Sequence, residues 1–211
     1  MQGSDYVDGR YNAPADNLEA NLGRMPVISV GDESIGQSAA INFYVAAEHG
    51  LLGKSNLEGA KIISIAEHVK EMIAAYTKLV PWGTEPTTEQ LDQWFEQGAT
   101  DVTGTAVRDT ASTRYLTWWM GRIEAVLGSN GFAVGQQLSL ADVLLYYVFA
   151  ETLADNHCAA ETPAFKRYPF GSLERIQAAL AKHPKIKASC DAVAAHPNIL
   201  KWREVRGVQG F

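Results

Sequence analysis

Cysteine is nearly absent from this chain of 211 residues, and the two present cannot build a covalent framework. Cys158 and Cys190 lie far apart in helical surroundings with no CxxC spacing, so neither a disulfide scaffold nor a zinc site is expected. That scarcity suits a reducing, cytoplasmic setting. Long apolar runs are missing too: none approaches the ~18 residues of a membrane-spanning helix. The opening MQGSDYVDGR lacks the apolar core of a signal peptide, so none is expected. No acidic or basic run stands behind the net charge of −6, which argues against nucleic acid or anionic membrane as the main partner. The five histidines form no HxxxH or HExxH pattern, so no metal is expected.

What remains is an ordinary globular composition, 46% hydrophobic and 20% charged, in a chain long enough for two packed lobes. Strand signals are confined to its start. Residues 5–11, DYVDGRY, alternate weakly and predict a short strand; Asn12 to Gly23 reads as an irregular connection with one helical turn. Val27 to Val30 is a β-branched strand, Gly31-Asp32 supplies a tight turn, and Ser34 to Gly36 pairs back as a hairpin. From Ser38 onward the apolar residues fall at helical spacing.

The first predicted helix runs from Ser38 to His49 and ends at Gly50. The second runs from Asn56 to Val80, with Ile62, Ile65, Ala66, Val69, Met72, Ile73, Tyr76 and Leu79 on one face, and Pro81 stops it. A third begins at a Thr87/Gln90 capping box and breaks around Gly98 to Gly104. Arg108 to Leu127 follows, with Tyr115, Trp118, Trp119, Ile123 and Val126 as its buried stripe. Ser139 to Ala154, Ser172 to Ala181, Pro184 to Ala195 and a last turn near Trp202 complete the chain. The layout is a small α/β lobe over residues 1–50, a linker LLGKSN, and an all-helical lobe over 56–211.

Four motifs carry chemistry, each beside a plainer reading. Met25-Pro26 precedes a strand, where proline is either a trans strand start or a cis turn that exposes the Met25 N–H and C=O to an extended ligand. In Gln37-Ser38 the serine reads as the N-cap of an apolar helix; alternatively the free amides, the dipole and the hydroxyl bind a carboxylate. Ser139 and Asp142 read as a capping box, with Asp142 structural rather than catalytic. Tyr76 and Trp82 mark the end of the long helix, as core aromatics or as one wall of an apolar pocket.

Together, MPVISVGDESIGQSAAINFYVAAEHGLLG, PW at 81–82, LSLADVLLYYV and HPKIKASCDAVAAHPNILKW resemble a cytosolic glutathione transferase, most closely its sigma-like branch. The resemblance extends from about Asp5 to Trp202. It implies a thioredoxin-like N-terminal lobe, an all-α C-terminal lobe, a homodimer, and glutathione as co-substrate for an apolar electrophile. Met25, across a cis bond to Pro26, would hold the cysteinyl part of glutathione, Gln37 and Ser38 the γ-glutamyl end. Tyr76 and Trp82 would face the electrophile, and Ser139 and Asp142 would form the family's folding cap.

The chain departs from that pattern at its start. DYVDGRY matches the family's second strand, so the first strand and its helix have no counterpart, and the small lobe is expected to be incomplete. Neither Tyr6 nor Tyr11 aligns with the position that activates the glutathione sulfur, so the catalytic residue is unknown. Ala74-Ala75 replaces acidic residues of sigma-like relatives, and NAPADNLEANL offers neither the Trp nor the Lys that contacts the glycyl end. Two readings follow: a transferase that conjugates glutathione to, or isomerises, an apolar electrophile, and a non-catalytic scaffold or subunit of a larger assembly. A further segment or another chain would then complete the N-terminal sheet.

Overall fold

The computed structural model describes residues 15–81, 84–96, 114–151 and 169–205. A short 3-10 helix, Ala15–Asn21, leads into a hairpin of β1 (Val27–Val30) and β2 (Glu33–Gly36). The strands are antiparallel, with Val27 opposite Gly36 and Val30 opposite Glu33. Gly31 takes φ 59° at the first central position of the two-residue turn, where a type II′ hairpin requires glycine. The 3-10 helix lies against both strands and its end sits tightly on Gly36, where any side chain would collide with Ala20 and Asn21.

Helix α1 (Ser38–Glu48) follows β2 and closes at Gly50, whose φ of 68° suits a left-handed helix stop. α2 (Asn56–Leu79) starts where the Ser55 hydroxyl accepts the Glu58 amide at 3.2 Å, and it ends before Pro81. α3 (Thr88–Glu96) begins at the Thr87/Gln90 capping box, whose two bonds are 2.9 and 3.2 Å. α4 (Leu116–Val126), α5 (Leu140–Phe149), α6 (Leu173–Ala181), α7 (Pro184–Ala194) and α8 (Pro197–Val205) complete the described helices. The predicted strand over 5–11, the break at 98–104, and Cys158 lie outside the described residues.

The core is helical. α5 is its axis: seven of its residues are buried, and it packs on α2 and α7. Ile62, Ile65, Val69 and Met72 of α2 and Ile186 and Cys190 of α7 share its core cluster. Each such side chain contributes roughly 1.5–3 kcal/mol on burial. α7 is held at its start by a side chain from another helix: Glu124 of α4 accepts the Lys185 and Ile186 amides at 2.9 and 3.0 Å. Two bonds anchor the linker to the start of α5, from the Leu140 amide to the Leu51 carbonyl at 2.9 Å and from the Gln137 side chain to the Gly50 carbonyl at 3.1 Å.

Several boundaries and faces differ from the sequence expectation. α4 starts at Leu116, because Arg114 and Tyr115 are not helical and Tyr115 is an extended N-cap. Its buried face is Leu116, Trp119, Met120 and Ile123, while Val126 is 61% exposed. Tyr115 and Trp118 are half-buried; Trp118 lies under the Arg114 guanidinium, 4.2 Å from its ring centre, which rewards partial exposure. On α2, Ile73 is exposed, since the core stripe passes through Met72 and Tyr76 instead. α5 stops at Phe149 rather than at Ala154. Cys190 is buried and free.

Candidate functional site

The hairpin register brings the two N-terminal motifs together. Val27 pairs with Gly36, so Met25-Pro26, just before the one, and Gln37-Ser38, just after the other, share one end of the sheet. The Met25-Pro26 bond is cis. Met25, Pro26, Gln37 and Ser38 are all exposed. Behind them, the Asn21 side-chain amide donates to the Pro26 carbonyl at 3.1 Å. Asn21 is 3% exposed, and no sequence signal marks it beyond the Asn-Leu-Gly turn.

Gln37, not Ser38, is the N-cap of α1. The chain turns from strand to helix at Gln37 with φ 70° and ψ 123°, and its carbonyl accepts the Ile41 amide at 3.0 Å. A positive φ in a non-glycine residue costs on the order of 1–3 kcal/mol, and such strain tends to gather where a ligand is held. Ser38 thus becomes the first helical residue. No side chain caps α1 and no acidic residue occupies its first turn, so the orphan amides and the dipole face solvent. Donors of this kind, flanked by the Gln37 amide and the Ser38 hydroxyl, suit a carboxylate; the exposed Met25 backbone suits a peptide-like chain.

The aromatic motif is placed elsewhere. Tyr76 packs on Trp94 and Phe170, with ring centres 5.1 and 5.0 Å away, within the helical core. Burial pushes its phenol up to about 12, so it is neutral at physiological pH. Trp82 lies outside the described residues, as do Tyr6 and Tyr11. An open groove of about 820 Å³ lies instead at the other end of α2, between Phe43 of α1, Leu52 of the linker, and Gly59, Ala60 and Ile63 of α2, with Lys54 and Glu67 at its margin. A sequence signal for it existed in SAAINFYVAAE, which is apolar on every side although only Ala46 is buried.

Ser139 and Asp142 are used structurally. Asp142 is fully buried and accepts from the Ser139 amide at 2.9 Å and hydroxyl at 2.7 Å, the Ala133 amide at 2.7 Å, and the Ser189 hydroxyl at 2.7 Å. One carboxylate therefore closes the α5 capping box, pins the preceding loop and reaches α7. Among the described residues no helix is long and apolar enough to cross a membrane, and no cluster of metal-ligating side chains occurs.

Residues 92–206, more than half of the chain, match the family model described as "Glutathione S-transferase, C-terminal domain". The chain is 24% identical over 212 residues to the probable glutathione S-transferase 7 of Caenorhabditis elegans, covering 99% of this chain and 88% of that protein. It is also 24% identical to S-crystallin SL11 of Nototodarus sloanii, over 89% of this chain and 76% of that one. Among solved structures, the monomeric Na-GST-3, a glutathione S-transferase of the hookworm Necator americanus, superposes with a TM-score of 0.63 at 22% identity, covering 90% of this chain and 78% of that one. Among the described residues a hairpin followed by helices α1 to α8 shares the fold of that glutathione S-transferase, and with the family model matching more than half of its length this chain belongs to the glutathione S-transferase family.

Proposed function

We propose that the chain binds glutathione at the Met25–Ser38 end of the hairpin and conjugates it to, or isomerises with it, an apolar electrophile. The observation that carries this reading is the shared position of the Met25-Pro26 backbone and the uncapped start of α1. Ser38, Gln37 and the first-turn amides would hold the γ-glutamyl carboxylate, and the Met25 N–H and C=O the cysteinyl portion. Glutathione brings the nucleophilic thiol. At an ordinary thiol pKa of about 8.5 only a few per cent is thiolate at pH 7, so turnover needs a donor beside the sulfur. Tyr76 and Trp82 remain proposed contacts of the electrophile, and the division into a glutathione-binding lobe over 1–50 and a helical lobe over 56–211 is part of the same reading. We further place the protein in the cytoplasm, as a homodimer acting in detoxification.

Calorimetric titration of the 211-residue chain with reduced glutathione tests the site. Saturable binding is expected, weakened about tenfold by Ser38→Ala, equivalent to about 1.4 kcal/mol. No heat of binding at millimolar glutathione would sink the reading. A second reading is supported by the S-crystallin relative: a scaffold without catalysis. Binding without consumption of an activated chloroarene in the presence of glutathione is the result that would favour it.

A further inference from the structure

We propose that Asn21 is a positioning residue of the glutathione cradle: it touches no ligand and sets the direction in which Met25 presents its backbone. The inference rests on the reading of the Met25–Ser38 end as a glutathione site. Asn21 closes the 3-10 helix and is 3% exposed. Its side-chain N–H donates to the Pro26 carbonyl at 3.1 Å. A carbonyl can only accept, so this bond fixes which way the amide faces. The proline ring locks φ at Pro26, which leaves ψ as the soft torsion of that residue, between the Met25-Pro26 peptide plane and β1. Holding the Pro26 carbonyl holds that ψ, and with it the direction of the Met25 carbonyl.

The same side chain abuts the other arm of the cradle. A Cβ on Gly36, the residue before Gln37, would lie 2.5 Å from the Asn21 Cβ and 2.4 Å from the Ala20 carbonyl oxygen. Asn21 therefore touches both strand ends, the one after Met25-Pro26 and the one before Gln37-Ser38. Its own backbone is held in turn. The Asn21 carbonyl accepts the Arg24 amide at 3.1 Å and the Arg24 Nε at 3.4 Å, and the Gly23 amide returns to the Leu18 carbonyl at 3.0 Å. Positive φ at Leu22 and Gly23, 54° and 75°, reverses the chain between the 3-10 helix and Met25.

One atom argues for a role beyond packing. Asn21 Oδ1 is buried and has no hydrogen-bond partner among the described residues. A buried acceptor without a donor costs stability, and a small apolar side chain would remove that cost while still covering Gly36. What only the amide supplies is the N–H on Pro26. Local departures of this kind gather where a site must be held in shape.

Glutathione affinity and urea unfolding would be measured on the full chain and on Asn21→Ala and Asn21→Asp. Asn21→Ala loses the donor and the orphan acceptor together, so affinity should weaken at least about fivefold while the unfolding midpoint falls by less than about 0.3 M. Asn21→Asp keeps the shape but has no proton to donate while ionised. Beside a carbonyl and out of water, its carboxyl stays protonated to a higher pH than usual, so lowering the pH restores an O–H donor to Pro26. Its deficit relative to the unaltered chain should be at least about fivefold at pH 8 and should shrink at pH 5. A smaller loss of affinity in Asn21→Ala overturns the proposal, as does a loss accompanied by a larger fall in the midpoint, which is what a merely structural residue would give. A deficit in Asn21→Asp that is the same at both pH values overturns it too. Failure of the unaltered chain to bind glutathione is a separate outcome: it would overturn the reading of the site itself, and this inference with it.

Discussion

Replacing Asp142 with alanine should be among the most damaging single changes in the helical lobe. The side chain is fully buried and accepts four hydrogen bonds, two from backbone amides and two from serine hydroxyls. The hydroxyls of Ser139 and Ser189 can rotate toward other acceptors, but the amides of Ala133 and Ser139 cannot. Each orphaned amide costs roughly 1–3 kcal/mol, so the loss should be about 2–6 kcal/mol before any void is counted. That is a large share of the roughly 5–15 kcal/mol by which a domain is stable. Urea unfolding followed by tryptophan fluorescence would register it. With a slope of about 3 kcal/mol/M, the midpoint should fall by about 0.7–2 M at unchanged slope. A cycle with Ser189→Ala should show coupling of at least about 0.5 kcal/mol, since the two side chains share a bond between α5 and α7. A loss below about 1 kcal/mol in Asp142→Ala would refute the view that this carboxylate holds the helices together.

Glu124→Gln should cost about 1 kcal/mol in the same assay, because a charge is lost from the start of α7 while one acceptor remains; Glu124→Ala should cost more, and equal losses would remove the charge from the account. Gln37→Gly should raise stability by about 1 kcal/mol through relief of the positive φ, and weaken glutathione binding, so a variant that is less stable would show the strain to be misassigned. Cys190 should resist alkylation at pH 8 in peptide mapping, because burial, reinforced by Asp191 and Asp142, pushes its thiol up to about 12. The sign for stability follows. The folded state keeps the proton that the unfolded chain releases from about 9 upward, so this contribution is complete below pH 9 and is lost as pH rises toward 12. An unfolding midpoint that does not fall between pH 9 and 11 would contradict it.

Local chemistry in the sequence determined more of this protein than its composition suggests. β-branched residues 27–30 next to Gly31-Asp32 specify a hairpin, Thr87 with Gln90 and Ser139 with Asp142 specify helix starts, and Pro81 specifies a stop, because each acts within one turn of its own backbone. The proline turn at Met25-Pro26 and the start of α1 beside Gln37-Ser38 are legible for the same reason. Tertiary structure decided what depends on neighbours distant in the chain. Gln37 replaced Ser38 as N-cap because entry from β2 forces a positive φ there. Tyr76 went to an aromatic cluster with Trp94 and Phe170, residues whose proximity no spacing along α2 could disclose. Asp142 gained the Ser189 hydroxyl and α7 gained the Glu124 carboxylate only when α5, α7 and α4 packed. Hydrogen bonds within a turn can be read from residue order, whereas bonds between helices require the packing that brings their ends together.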